Sequence, residues 1–164
     1  MTKQRTGALA LTAALTGVML GLPASSAIGQ SGSAATRGHQ RFVLISTDPK
    51  DEGGGPVAGF GPIHAMGTDV VINNHRDRFE FPAGQLVIRH RTAKGSAHES
   101  SDPKTCYFRF SERGTWTAVS GTGAYAKVNG GGTYRLSGHG FGCNQHQPPK
   151  VFSLTIRARG QLSY

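Results

Sequence analysis

Helical periodicity is what this chain most conspicuously lacks. After residue 40 no window places apolar residues at i, i+3, i+4 and i+7 over three turns. Glycine, 24 of the 164 residues, interrupts nearly every stretch. A helical fold is thereby excluded. Cysteine is scarce, with only Cys106 and Cys143 present, which matches an exported protein held by one disulfide. Closing that loop restricts the unfolded chain by about 4 kcal/mol in the loop-entropy model. A catalytic thiol would need an activating base and exposure, and an oxidising destination argues against one. Acidic residues are few, 9 against 18 Lys and Arg. No two carboxylates are placed for glycoside hydrolysis. There is no G-x-S-x-G elbow, no H-E-x-x-H pair, and no dense Lys/Arg run or RNA-binding signature.

The amino terminus carries what the rest lacks, an apolar run. Lys3 and Arg5 precede an Ala/Leu-rich segment from Ala8 to Leu22, with Ser25 and Ala27 at the −3 and −1 positions of a cleavage point. This is the layout of a secretory signal peptide over residues 1–27. The run is too short and too broken by Thr and Gly for a comfortable membrane span. No cysteine follows it to take a lipid. Cleavage would release Ile28 to Tyr164, one domain's worth of chain, into the extracellular space with no membrane span. Losing Lys3 and Arg5 lowers the net charge from +9 to +7. Two readings of that charge stand, solubility and attraction to an anionic surface polymer. Dispersal of the basic residues argues against nucleic acid as partner.

Residues 28–40 are rich in Gly, Ser and Ala and read as a flexible lead-in, so the folded domain is expected over 41–164. Within it, short strand-like runs alternate with turn signals. Arg41 to Ser46 comes first. Pro56 to Phe60 and Pro62 to Ile72 read as one long strand bent at Gly59 and Gly61. Arg78 to Phe81 pairs across Pro82-Ala-Gly84 with Gln85 to Arg91. Thr92 to Lys104 reads as a mobile loop. Thr105 to Phe110 and Gly114 to Val119 form a hairpin about Ser111-Glu-Arg113, Gly132 to Leu136 follows, His139 to Lys150 is a loop, and Val151 to Tyr164 closes the chain. Alternation assigns the faces. Phe152, Leu154, Ile156 and Ala158 share one side, as do Phe79 with Phe81 and Leu86 with Ile88. Met66, Val70 and Ile72 are expected inward, and Asp69 and Glu80 outward. About eight one-sided strands with no helix to cover them argue for an all-β chain closed as an antiparallel eight-stranded β-barrel, with a two-sheet sandwich as the alternative.

Between two strand-like runs lies the most unusual stretch, Ser120 to Tyr134. Gly121, Gly123 and Gly130 permit positive φ or close backbone approach, and Tyr125 is the aromatic that folds back over a core. Without the Lys-Ser/Thr ending and helix of a phosphate loop, it reads as a structural corner.

That corner, Gly121-Thr-Gly-Ala-Tyr-Ala followed by Gly130-Gly-Gly-Thr-Tyr134, resembles the GTG-aromatic signature of allene oxide cyclase-like and dirigent-like barrels. Ala65-Met-Gly-Thr-Asp-Val70, Asp77-Arg-Phe-Glu-Phe-Pro82 and Gly84-Gln-Leu-Val-Ile-Arg-His90 look like small secreted actinobacterial proteins of that type. The resemblance covers 41–164. It implies an antiparallel barrel with a mostly apolar interior that moulds a reactive small molecule without a cofactor. Plant relatives either cyclise a fatty-acid epoxide or steer radical coupling of phenols. Outside the corner no motif matches residue by residue, so no catalytic residue is carried over.

Of the seven histidines, none has metal-ligand spacing, and no metal site is expected. His64 shares strand parity with Met66, and His90 with Leu86 and Ile88. Both either face the barrel interior near its mouth, where they would orient a ligand or move a proton, or lie past the core in solvent. Arg89, Arg91, Arg109, Arg157 and Arg159 face outward and form a basic stripe if their strands are neighbours. Three functions remain: a binding module for a small apolar or phenolic ligand, a cofactor-free isomerase or cyclase using the same cavity, and an interaction protein that docks on anionic polymer.

Overall fold

The computed structural model describes residues 35–49, 54–144 and 147–164; the segment read as a signal peptide lies outside them. Among these residues the chain forms nine strands: β1 (Arg37–Ser46), β2 (Gly55–Phe60), β3 (Ala65–Asn73), β4 (Arg76–Phe81), β5 (Gly84–Thr92), β6 (His98–Asp102), β7 (Tyr107–Gly121), β8 (Asn129–Phe141) and β9 (Val151–Ser163). The sheet runs β5-β4-β3-β2-β1-β9-β8-β7, every recorded pairing is antiparallel, and β5 pairs with β7 to close eight strands into a barrel. β6 is a ninth strand outside the ring. It lies on the first part of β7, from Tyr107 to Ser111, where β7, β8 and β9 run beyond the barrel as a lip.

The expected eight-stranded antiparallel barrel is therefore present, with several internal differences. Chain order begins earlier than expected: β1 starts at Arg37, inside the segment read as a lead-in, because Gln40 is buried and satisfied. Its Oε1 accepts from the Ile63 backbone N–H at 2.8 Å, and its Nε2 donates to the Ile63 carbonyl at 3.1 Å. Residues 56–72 form a hairpin of β2 and β3, since Gly61, at φ +134°, reverses the chain. The segment Thr92 to Lys104 contains β6. What looked like a hairpin about Ser111-Glu-Arg113 is one 15-residue strand, β7, whose hydroxyl and charged residues alternate with an inward apolar set.

Aromatic rings fill the centre. Phe42 packs against Phe79, Phe81 and Trp116 with centroids 5.3–6.3 Å apart, within the range of favourable ring pairs. Rings also account for part of the glycine content. Phe110 lies over its cross-strand partner Gly138, and Phe108 over Gly140. A Cβ on either glycine would strike the ring.

The end of the barrel holding the β4–β5 turn is sealed. Gly121 ends β7, a 3-10 turn spans Gly123–Tyr125, and Tyr125 is 3% exposed. Its ring meets Phe81 at 6.1 Å and Tyr164 at 5.0 Å edge-on, and Tyr164 Oη donates to the Pro62 carbonyl at 2.8 Å. Gly123 takes φ +57° and lies against the Ala83 carbonyl in the β4–β5 turn. Gly130 already belongs to β8, where it opposes Leu162. The opposite end carries the disulfide: Cys106, just before β7, is bonded to Cys143, just after β8, with Cα atoms 4.7 Å apart.

Candidate functional site

Inward-facing residues change character along the barrel axis. Around Tyr125 and Leu162 they are apolar. Toward the β3–β4 turn, Asp69, Asp77, His90 and Glu112 take inward positions instead. Asp69 is set inward by its register with Phe79, and the other three follow from strand parity. Asp77 precedes Phe79 and Phe81 at steps of two on β4, His90 follows Leu86 and Ile88 on β5, and Glu112 lies between Phe110 and Trp116 on β7.

A cavity of about 70 Å³, the space open to the centre of a water-sized sphere, occupies this half of the barrel. Phe42, Leu44, Phe79, Trp116 and Ile156 form much of its apolar wall, and Asp77, His90, Glu112 and Tyr134 its polar side. One water needs roughly 10–15 Å³ on this measure, so the space suits a single ring or a short chain.

The polar groups form two linked sets. Nε2 of His90 lies 3.3 Å from Oδ2 of Asp77, both side chains being largely buried. Tyr134 Oη donates to Glu112 Oε1 at 2.7 Å, and Thr92 Oγ1 lies 3.2 Å from Tyr134 Oη and 3.3 Å from Glu112 Oε1. The His90 and Tyr134 rings meet edge-on at 6.0 Å and join the sets. Burial, reinforced by the Glu112 carboxylate, pushes the Tyr134 phenol up to about 12 despite its contact with Thr92, so it serves as a hydrogen-bond donor at neutral pH.

Asp69 is the outlier. It is 4% exposed, and its Oδ1 has no hydrogen-bond partner among the described residues. Burial first, then the nearby charge of Asp77, push its carboxyl up to about 8, so it is mostly protonated at neutral pH. Burial also raises Asp77, opposed by His90. Asp77, with the His90 imidazole 3.3 Å away, is the carboxyl placed to exchange a proton in the cavity.

The two histidines singled out from the sequence part company. His90 lines the cavity. His64 is exposed and stands edge-on to Phe60 at 6.1 Å, outside the barrel, the solvent-facing one of its two alternatives, so it is not in the ligand site. The parity expected of β3 is inverted: Met66 is 66% exposed and Ile72 47%, whereas Asp69 is inward. The middle of the inner face of β3 is ceded to Gly67, over which the Phe81 ring lies, and to Asp69, with Ala65 and Val71 on the same parity to either side. Its remaining apolar residues consequently crowd the outer face, and hydrophobicity alone points the wrong way.

Asp77 and Glu112 went unnoticed as site residues although parity was enough to find them. Glu112 was hidden by assigning Ser111-Glu-Arg113 to a turn. His39, His75, His98 and His139 are exposed, and His146 lies outside the described residues. Among the described residues no three His, Cys, Asp or Glu side chains converge as metal ligands. Compared with family models, with curated proteins and with solved structures, the chain matches none.

Proposed function

We propose that this protein is a secreted barrel of the allene oxide cyclase-like or dirigent-like type that binds a small phenolic or apolar molecule at its open end. The carrying observation is the cavity itself, with an aromatic and aliphatic wall on one side and Asp77, His90, Glu112 and Tyr134 on the other. An apolar pocket with a few convergent polar groups is the usual form of a small-molecule site. Its modest volume favours a single phenolic ring over a long fatty chain, and the polar side offers both acceptors and donors to a phenol hydroxyl. The Cys106–Cys143 disulfide fits an extracellular destination.

The chain has one tryptophan, Trp116, and it lines the cavity, so its fluorescence reports occupancy. Titration with p-cresol is expected to change Trp116 emission saturably, and native mass spectrometry of protein from its producing host to show a bound small molecule. A flat titration to millimolar ligand together with an empty native spectrum would overturn the proposal.

A second reading, a cofactor-free isomerase or cyclase in the same cavity, is favoured by the Asp77–His90 pair in its lining. In that case Asp77→Asn abolishes turnover while p-cresol still binds. Turnover that persists in Asp77→Asn rules this reading out.

A further inference from the structure

The outer face of β7, β8, β9 and β1 carries arginines set directly opposite one another. Arg113 pairs with Arg135, and Arg135 with Arg157, in successive strands. One pleat further along, Arg159 pairs with Arg41, and the row continues through Thr133 and Thr115 to Arg91. Adjacent strands lie about 4.8 Å apart and the two rows about 6.7 Å. Five guanidinium groups thus emerge from a small area around one shallow surface hollow. All five residues are exposed. Among the described residues the ion pairs are Arg78–Glu80 and His90–Asp77, so none of the five meets a carboxylate there.

Like charges directly opposite in a sheet destabilise it. Placing three in one row and two in the next opposes folding unless an anionic partner neutralises them. The guanidinium of Arg41 is also fixed in place, its carbon 4.7 Å over the Phe60 ring, with its edge left for an anion.

We propose that this face binds a flexible, base-free phosphodiester polymer, a polyol phosphate, along the Arg113–Arg135–Arg157 row and the Arg159–Arg41 pair. Guanidinium forks match phosphate oxygens in two-point contacts. Thr115 and Thr133, exposed between the arginines, can bond ester and polyol oxygens. The Thr115–Thr133 strip has no exposed ring on which a base would stack, as single-stranded nucleic acid requires, and the exposed ring that ends the row, Phe60 opposite Arg41, is taken by the Arg41 guanidinium. Its exposed apolar side chains, Ile45 and Phe60, stand singly and do not form the continuous apolar face of an interfacial membrane anchor. The site is on the outside of the barrel and does not depend on the cavity or its ligand.

The test is calorimetric titration of the secreted protein with poly(glycerol phosphate), alongside oligo(dT) of matched charge and vesicles of phosphatidylglycerol. Binding to the polyol phosphate is expected. With five contacts at the single-strand salt slope of about −0.7 per charge, affinity falls roughly a hundredfold between 50 and 200 mM salt. The triple variant Arg113→Gln, Arg135→Gln, Arg157→Gln is expected to bind at least tenfold more weakly at 50 mM and with a shallower salt slope. Its thermal midpoint should be no lower than the native one, because like-charge pairs are removed. A charge-matched control, Arg37→Gln, Arg76→Gln, Lys104→Gln, should bind within twofold of the native protein. Equal loss in the control, no loss in the triple variant, or tighter binding of oligo(dT) or vesicles than of poly(glycerol phosphate) each overturns the proposal.

Discussion

Oδ2 of Asp77 stands 3.3 Å from Nε2 of His90, although the two are not register partners: Asp77 is opposite Ile88, and His90 is opposite Trp116. The contact runs diagonally across the inner surface from β4 to β5, which is possible only where both side chains turn inward at the open end. This puts the one inward imidazole at the edge of the cavity with its orientation held by a carboxylate.

His90→Leu is accordingly expected to weaken p-cresol binding about tenfold, about 1.4 kcal/mol, the low end of a hydrogen bond to a charged or strongly polarised group. His64→Ala should leave it within twofold, because His64 is outside. Trp116 fluorescence measures both. Equal effects from the two substitutions would remove His90 from the site.

The buried carboxyl of Asp69 has a consequence for stability against pH. Its pKa is about 8 in the folded protein against 3.8 for an ordinary aspartate. Between those values the folded chain holds a proton that the unfolded chain has released, so the unfolded state binds fewer protons and stability declines as pH rises. The contribution is fully present below about pH 4 and is lost by about pH 8, at no more than about 1.4 kcal/mol per pH unit. Asp77, also raised, adds in the same direction. Urea midpoints of the native protein should therefore fall from pH 5 to pH 8. In Asp69→Asn, which cannot ionise, the decline should be visibly flatter and the pH 8 midpoint higher. A native midpoint that holds steady or climbs over this range would contradict the buried placement of this carboxyl.

Much of this architecture was legible in the alternation of residues, because a strand that buries one face must alternate. β4, β5 and β9 read correctly for that reason: Phe79 with Phe81, Leu86 with Ile88, and Phe152, Leu154, Ile156 and Ala158 share the inward parity. β3 did not, because its central inner positions are Gly67 and Asp69, neither of which looks like core. A glycine inside a barrel is filled by a ring from the next strand, here Phe81, and that ring is invisible in the local sequence. Recognition of Asp69 needed the register Asp69↔Phe79, which only the paired strands supply. The arginine rows were hidden similarly. Arg113, Arg135 and Arg157 are far apart in sequence and meet only because the strands align them.

At the sealed end, Tyr125→Ala should remove the ring that joins Phe81 to Tyr164 and lower stability by roughly 3–5 kcal/mol, as large-to-small aromatic substitutions in cores do. Tyr125→Phe keeps the ring and should be close to neutral. Gly84→Ala tests the other half of the closure. Gly84 has φ +149°, and a Cβ there would run into the Thr122 carbonyl, so a loss of roughly 1–3 kcal/mol is expected. Chemical denaturation measures all three. Tolerance of Tyr125→Ala with a loss under 1 kcal/mol would show that the corner is not a plug.

The disulfide is expected to act locally as well as globally. It ties the turn before β7 to the end of β8, beyond the closed ring, where β6 is held to the barrel through β7 alone. Cys106 itself sits at φ +59°, a conformation an ordinary side chain adopts only when its surroundings hold it there. Its N–H donates to the Asp102 carbonyl at 2.8 Å, and its carbonyl accepts from the Gly142 N–H at 2.9 Å. In the double variant Cys106→Ser, Cys143→Ser the loss should be about 2–4 kcal/mol overall. Hydrogen exchange should rise first across residues 98–110 and 138–152, while β1 to β5 keep their protection. The barrel is closed by β5 on β7 between Leu86 and Thr92, away from the bridge, so p-cresol binding should survive. If exchange instead rises evenly around all eight barrel strands, the bridge secures the whole ring and the lip is not a separate unit.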